Sequence, residues 1–206
     1  ILMYAMPSLI IPRLAQVKTA NGSKSFWQAG SYLIYIGSIL LLCISVASYL
    51  MAYNIISVLA PTISGNNYLN SVHLLRILSI YIAFGGIFSV FKGILHADKN
   101  FILPGLAPLS IHIVLIFSIV FFSNDLGNQS MAYGVSVGAI FQLLIIIIYY
   151  FGKNLKLQLK FKDKYFSGIY FAFFIIISIE IIGQLFAIVD RYFASQMEGM
   201  ISALNY

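Results

Sequence analysis

The chain alternates between long apolar segments and short polar ones. Residues 25–75, 101–124 and 126–152 contain no Asp, Glu, Lys or Arg. Each of these segments is longer than the ~20 residues that a helix needs to cross about 30 Å of hydrocarbon. The pattern therefore predicts an all-α polytopic membrane protein.

Five complete transmembrane helices are predicted, with a partial helix at each end of the chain. Residues 1–14 are apolar but too short to span a membrane, and Pro7 and Pro12 are expected to end that helix. Asn21-Gly22 predicts a turn in the polar loop 16–25. The complete helices are predicted over 28–53, 71–91, 101–123, 130–151 and 167–189, and 199–206 begins another.

The composition excludes a water-soluble domain. Of the 206 residues, 61% are hydrophobic and only 9% are charged, with a mean hydropathy of +0.94. Soluble domains are about 45–50% apolar and roughly 25% charged, so a soluble core of this length could not bury so much apolar surface. The net charge of +6 does not indicate a nucleic-acid partner, because the basic residues lie in short loops between apolar segments.

The basic residues predict which loops face the cytoplasm. Ten of the twelve Lys and Arg residues lie in or beside alternate loops, and basic loops stay on the cytoplasmic side of a membrane. The loops around Pro61 and Asp125 contain no Lys or Arg and are expected outside. The loop with five lysines either sets orientation or binds anionic lipid. The predicted cytoplasmic loops are 15–27, 92–100 and 152–166.

Ionisable side chains at membrane depth identify candidate functional residues, because each costs about 2.5–3.5 kcal/mol to insert. Glu180 lies in the middle of the predicted helix 167–189, one turn from Gln184 on the same face. Two interpretations are open. Glu180 faces a cavity and serves coupling or substrate binding, or it makes a structural hydrogen bond between helices.

Three further charged residues lie near predicted helix ends. Arg76 is about one turn from the outer end of its helix, and either extends to the interface or points inward as a cation for an anionic substrate. Asp190 and Arg191 end a helix at the outer face, where they anchor it or contact substrate, and as neighbours they do not face each other. The candidate substrate-binding or coupling residues are Arg76, Glu180, Gln184, Asp190 and Arg191.

The remaining polar and small residues have structural interpretations. His112 and Cys43 lie inside apolar helices and are predicted to be packed, uncharged side chains. Gly134 and Gly138 form a GxxxG pair, which predicts close helix packing. No catalytic motif or phosphate-binding glycine loop occurs in the sequence. An enzyme is therefore disfavoured, and neither a metal site nor a cofactor is expected.

Six motifs, in matching order and spacing, resemble the MurJ/MviN family of lipid II flippases within the multidrug/oligosaccharidyl-lipid/polysaccharide exporter superfamily. They extend over essentially the whole chain, and the last is the most specific. The motifs are Ile11-Pro12-Arg13-Leu14-Ala15, Leu59-Ala60-Pro61, Leu74-Leu75-Arg76-Ile77, the segment 95–108 (LHADKNFILPGLAP), Ala132-Tyr133-Gly134 with Gly138 and Gln142, and the segment 189–206 (VDRYFASQMEGMISALNY).

The resemblance implies a 14-helix transporter bundle of two lobes, of which this chain, opening at Ile1 rather than Met, is expected to be a piece. Residues 1–164 would form the end of helix 2 to helix 6 of the N-terminal lobe with its basic cytoplasmic linker. Residues 165–206 would form helix 7 and the start of helix 8 of the C-terminal lobe. The family's principal substrate-binding arginines would lie outside the chain, so the five candidate residues rest on physical grounds alone.

The implied function is movement of the undecaprenyl-linked peptidoglycan precursor, lipid II, from the inner to the outer leaflet of the bacterial cytoplasmic membrane. The implied mechanism is alternating access around a cationic cavity that binds the pyrophosphate. The partners would be that precursor and membrane lipids, with a coupling ion left open. Two alternatives stay open: a polysaccharide-repeat flippase or cation-coupled drug exporter of the same superfamily, and a membrane scaffold that binds precursor without transport.

Overall fold

The computed structural model describes residues 2–152 and residue 189, and within them the chain is helical with no strand. Four segments are long and apolar enough to cross a membrane: Ile10–Leu50, Gly65–Ala97, Ile102–Leu126 and Gln129–Tyr150. The predicted all-α membrane fold is confirmed for this part of the chain. The helices are α1 (Leu2–Leu50), α2 (Ala52–Leu59), α3 (Gly65–Ala97), α4 (Ile102–Leu106), α5 (Leu109–Leu126) and α6 (Gln129–Gly152).

Gly22 divides α1 into two arms that lie side by side. Its φ of 80° and ψ of −179° are non-helical, a conformation open to glycine but strained for other residues. A Cβ built on Gly93 of α3 would lie 3.1 Å from Cα of Pro7, and one built on Gly30 would lie 3.2 Å from Cγ2 of Ile94. In a straight helix Pro7 and Gly30 would be about 35 Å apart. The chain therefore reverses at Gly22, where the turn signal predicts it.

The second arm of α1 packs antiparallel to α3. A Cβ built on Gly37 would lie 3.0 Å from Cγ2 of Val90, and four residues further along the arm Leu41 occupies the space beside Gly86. The two pairs advance in opposite directions along the two helices. Small residues at these positions let the helices approach closely, as is typical of packing within membranes.

The pair α5 and α6 is also closely packed, through two glycines of α6. A Cβ built on Gly134 would lie 2.9 Å from Cα of Leu115, and one built on Gly138 would lie 2.7 Å from Cα of Ile111. No side chain fits at either position unless a backbone moves. The packing role predicted for the GxxxG pair is confirmed.

The core lies where both arms of α1 meet α3 and α6. Tyr150 of α6 is buried, and its ring packs edge-on against Phe91 of α3 and Trp27 of α1, at centroid distances of 5.3 and 5.9 Å. Such aromatic pairs contribute about 0.5–1.5 kcal/mol beyond the burial of their area. The other large buried side chains here include Leu14, Phe26, Leu41, Ile94 and Ile146.

The helices turn at two ends of the bundle that differ in charge. One end contains the Gly22 turn, the connection from α3 to α4, and the end of α6. We call it the lysine end. The other end, which we call the opposite end, contains α2 and the connections that lead into α3 and α6. The lysines of the described residues all lie at the lysine end: Lys18, Lys24, Lys92 and Lys99.

Several predicted helix boundaries are wrong. Pro7 and Pro12 do not end a helix, because the first arm continues through them to Gly22, with Pro7 packed against α3. Most of the predicted loop 16–25 is helical, because polar residues are compatible with a helix wherever one face packs. The predicted helix 101–123 corresponds to the span Ile102–Leu126, in which Ala107 and Pro108 separate α4 from α5 while keeping right-handed helical dihedral angles. The predicted helices 167–189, apart from Val189, and 199–206 lie outside the described residues.

Candidate functional site

Arg76 is the candidate site residue that falls in the described part of the chain. It lies on α3, which begins at Gly65 rather than at the predicted residue 71, so Arg76 is three turns inside the helix and not one. The guanidinium Nε is buried and has no hydrogen-bond partner among the residues that the structure describes. An unsatisfied buried donor costs about 1–3 kcal/mol, so this arginine needs an explanation. The other candidates lie outside the described residues: Glu180, Gln184, Asp190 and Arg191.

Two tyrosines flank the guanidinium of Arg76. Its Cζ lies 5.3 Å from the ring centroid of Tyr49, near the end of α1, and 5.0 Å from that of Tyr53, in α2. Both distances are typical of cation–π contacts, which contribute about 0.5–2 kcal/mol each. The Tyr68 hydroxyl donates to the Tyr53 carbonyl oxygen at 2.8 Å, which joins α2 to the first turn of α3. We call Arg76, Tyr49 and Tyr53 the arginine cluster.

Serine hydroxyls hold the backbone around Arg76 from two neighbouring helices. Ser45 of α1 donates to the carbonyl oxygen of Ser79 at 2.6 Å, and Ser136 of α6 donates to that of Ile77 at 2.9 Å. Both serines are buried, and hydroxyl bonds of this kind join helices within membranes. Hydrogen bonds from α1 and α6 thus fix the position of the α3 segment that carries the arginine of this cluster. Nothing in the sequence distinguishes these serines, since serines are common in apolar helices.

At the lysine end, Lys18 and Asp98 form an ion pair, with 2.8 Å between Nζ and Oδ1. Lys18 Nζ also lies 5.2 Å from the ring centroid of Phe26, across the Gly22 turn. Asp98 follows the last residue of α3. The pair therefore joins the first arm of α1 to the end of α3.

Two more polar contacts at the lysine end join α6 to the rest of the bundle. Asn100 Nδ2 donates to the Tyr149 hydroxyl at 2.6 Å, and the hydroxyls of Ser31 and Tyr150 are 3.1 Å apart. The Ser31–Tyr150 contact is buried. Nothing in the sequence indicates these pairs, because residues 49 and 119 positions apart can be matched only through the fold.

The two predictions for isolated polar side chains are wrong. Cys43 and His112 are both exposed instead of packed inside the bundle. Each lies on the outward face of its helix, and hydropathy shows only that a segment is apolar, not which face is covered. Among the residues that the structure describes, no group of three His, Cys, Asp or Glu side chains could hold a metal ion.

An apolar groove of about 500 Å³ lies on the outer face of α5 and α6. Its lining is almost wholly hydrocarbon and aromatic, including Phe117, Phe122, Tyr133 and Phe141. A surface of this kind suits contact with lipid chains or with another apolar helix, and it offers no group for polar recognition.

Comparison with known families gives one finding. The family model described as "Lipid II flippase MurJ" matches residues 4–206, which is nearly the whole chain. No curated protein matches the chain significantly.

Proposed function

Because the chain belongs to the family of the lipid II flippase MurJ, we propose that it moves the undecaprenyl-linked peptidoglycan precursor from the inner to the outer leaflet of the bacterial cytoplasmic membrane. The observation that carries this proposal is the family match over residues 4–206. Membership supports a lipid II flippase or a closely related flippase, and thus a transporter. The four segments able to span a membrane agree with a multi-pass protein.

We propose alternating access as the mechanism. The head group of the precursor is polar and charged, so hydrocarbon opposes its passage, while its lipid tail can stay in the bilayer. A polar cavity that opens first to the cytoplasm and then to the outside removes this barrier. A potential that is negative inside favours outward movement by about 2.3 kcal/mol per negative charge per 100 mV.

The proposed architecture is a 14-helix bundle of two lobes. Residues 1–164 would belong to the N-terminal lobe and residues 165–206 to the C-terminal lobe. Alternating access requires helices that bend or move against each other. Ala107 and Pro108, which separate α4 from α5, are a place in the proposed first lobe where such bending can occur.

The proposed orientation places the lysine end in the cytoplasm. Lys18, Lys24, Lys92 and Lys99 gather there, although they come from separate parts of the sequence. Because basic loops remain on the cytoplasmic side of a membrane, this group of lysines favours a cytoplasmic lysine end. Loops 15–27, 92–100 and 152–166 would be cytoplasmic, and the opposite end would face outward.

Within this function, we propose that Arg76 contacts an anionic part of the lipid-linked substrate. The support is its Nε, which has no partner within the described part of the chain, on a segment of α3 held by hydrogen bonds from two other helices. Glu180 with Gln184, and Asp190 with Arg191, are proposed to contact substrate or a coupling ion, on the sequence argument alone.

Genetic complementation tests the function. The complete gene is expressed in bacteria depleted of their own lipid II flippase, and the leaflet position of the precursor is read with a probe specific for lipid II. Growth with precursor in the outer leaflet is the expected result. Expression and membrane insertion are checked in the same cells, so that a lack of rescue by a well-inserted protein contradicts the proposal.

A related flippase for polysaccharide repeat units, or a cation-coupled drug exporter of the same superfamily, is the second candidate. Glu180 favours it, because a carboxylate in the middle of a predicted membrane helix suits cation coupling. Failed complementation together with cation-dependent transport in vesicles would support this candidate.

A further inference from the structure

We propose that the arginine cluster is a binding site for the phosphate group of a membrane lipid, with Arg76 binding the phosphate and the exposed apolar face of α1 beside α3 receiving the lipid chain. The site lies toward the opposite end of the bundle. That the site lies in the leaflet that receives the transported lipid rests on the proposed function. That it binds a lipid phosphate does not.

The first argument is the state of the guanidinium. Among the described residues Arg76 makes no ion pair and no side-chain hydrogen bond, and its Nε is buried. Its contacts are with the Tyr49 and Tyr53 rings. Aromatic faces bind the flat sides of a guanidinium and leave the N–H groups along its edge free. A phosphate accepts two such N–H groups at once, in the paired geometry that arginine favours.

The second argument is depth in the membrane. Lys92 and Arg76 lie on the same helix, 16 residues apart, which corresponds to about 24 Å along the axis. The hydrocarbon layer is about 30 Å thick. With Lys92 at one surface of this layer, Arg76 lies about 6 Å inside the other, near the lipid head groups.

The third argument is the surface that leads from the cluster toward the middle of the bundle. Exposed apolar residues recur at helical spacing along the second arm of α1. On α3, Ile80 lies one turn beyond Arg76 and is also exposed. A ligand on this surface therefore meets a cation at one end and hydrocarbon along the rest, which is the chemistry of a phospholipid or a polyprenyl phosphate. The exposed apolar residues of the α1 face below the cluster are Tyr35, Ile39, Leu42 and Val46.

Simple interfacial anchoring explains the arrangement less well. An anchoring arginine extends into water, where its N–H groups are hydrated. Here Nε is buried, and the flanking rings of Tyr49 and Tyr53 are themselves 48% and 43% exposed. Because Nε is buried, a phosphate would bind the Nη groups, and the exposed tyrosines place the cluster beside the membrane, where lipid phosphates are the abundant anions.

Native mass spectrometry of the full-length protein tests the site. The protein is mixed in detergent with phosphatidylglycerol, undecaprenyl pyrophosphate or diacylglycerol, the last of which lacks a phosphate. The variants are Arg76→Gln, Arg76→Lys and Tyr53→Leu, with Lys24→Gln as a matched control that removes one exposed positive charge at the lysine end.

The wild-type protein is expected to retain the two phosphate lipids over diacylglycerol. Arg76→Gln should weaken their retention by at least about tenfold, the effect typical of one charge-assisted hydrogen bond. Arg76→Lys and Tyr53→Leu should have smaller effects, and Lys24→Gln should retain lipid as the wild type does. Retention by Arg76→Gln equal to that of the wild type overturns the proposal. If this variant misfolds, unchanged retention by Tyr53→Leu overturns it instead.

Competition between the two phosphate lipids identifies the source of the phosphate. Preference for undecaprenyl pyrophosphate assigns the site to the transported lipid, and preference for phosphatidylglycerol assigns it to a bilayer lipid. Both results support a phosphate site. Since binding is measured without transport, a loss of retention in Arg76→Gln combined with failed complementation would leave the site standing and overturn the flippase function alone.

Discussion

Lys18 and Asp98 are 80 residues apart in the sequence, yet Lys18 Nζ lies 2.8 Å from Asp98 Oδ1. The side chains are 37% and 25% exposed, so water screens the attraction and the pair contributes about 0–1 kcal/mol. Its main consequence is geometric. It fixes the turned end of the α1 hairpin beside the connection from α3 to α4, at the end where the basic loops gather.

Reversal of the Asp98 charge tests this pair. Asp98→Lys places a second cation beside Lys18 and should lower the free energy of unfolding of the detergent-purified protein by about 1 kcal/mol. Adding Lys18→Asp restores opposite charges and should recover most of the loss, which neither single change can do. Lys24→Asp combined with Asp98→Lys is the control, because Lys24 is not paired with Asp98. Equal recovery in the control would argue against a specific pair.

The turn at Gly22 should depend on glycine. Its φ of 80° combined with an extended ψ of −179° costs a residue with a side chain about 1–3 kcal/mol. Gly22→Ala is therefore expected to unfold at lower SDS fraction than the wild type, as followed by circular dichroism. Gly22→Asn should be no more stable than Gly22→Ala, because asparagine tolerates the left-handed helical region but not this ψ. Ser23→Ala, at an exposed neighbouring position, is the control, and an equal effect there would contradict the argument.

Gly138 should tolerate no methyl group. A Cβ there would lie 2.7 Å from Cα of Ile111, which is backbone and cannot rotate away. Gly138→Ala is expected to destabilise the protein by about 1–3 kcal/mol, as overpacking does. Gly105→Ala is the matched control, because no other described residue lies within 4 Å of its Cβ position. Melting temperatures that are equal for the two variants would show that α5 and α6 are further apart.

The sequence predicts much of this fold because the membrane constrains it strongly. Absence of charge over about 20 residues locates a span, and the Asn21-Gly22 signal locates the hairpin turn. Helix ends are predicted less well. At α3 the polar residues Asn66 and Asn67 continue the helix beyond its apolar part, and hydropathy cannot detect helix that extends into water.

The candidate site is only partly predictable for a different reason. Arg76 is conspicuous as a charge beside an apolar segment, and the sequence identifies it. Its partners Tyr49 and Tyr53 come from other helices and are ordinary interfacial aromatics in the sequence. The antiparallel packing of α1 on α3 brings them together, and this register depends on small residues such as Gly37 and Gly86 that carry no functional signal.

Orientation in the membrane is the prediction on which the direction of transport depends. Lys24 and Asp125 are both exposed and lie at opposite ends of the bundle, so a cysteine at each position reports one side of the membrane. In a Cys43→Ser background, a membrane-impermeant maleimide should label Asp125→Cys in intact cells and Lys24→Cys only after permeabilisation. The protein that keeps Cys43 should stay unlabelled in both conditions, because a membrane-impermeant reagent does not reach a thiol that faces hydrocarbon. The opposite labelling pattern would place the lysine end outside, against the tendency of basic loops to remain in the cytoplasm, and would put the arginine cluster in the inner leaflet.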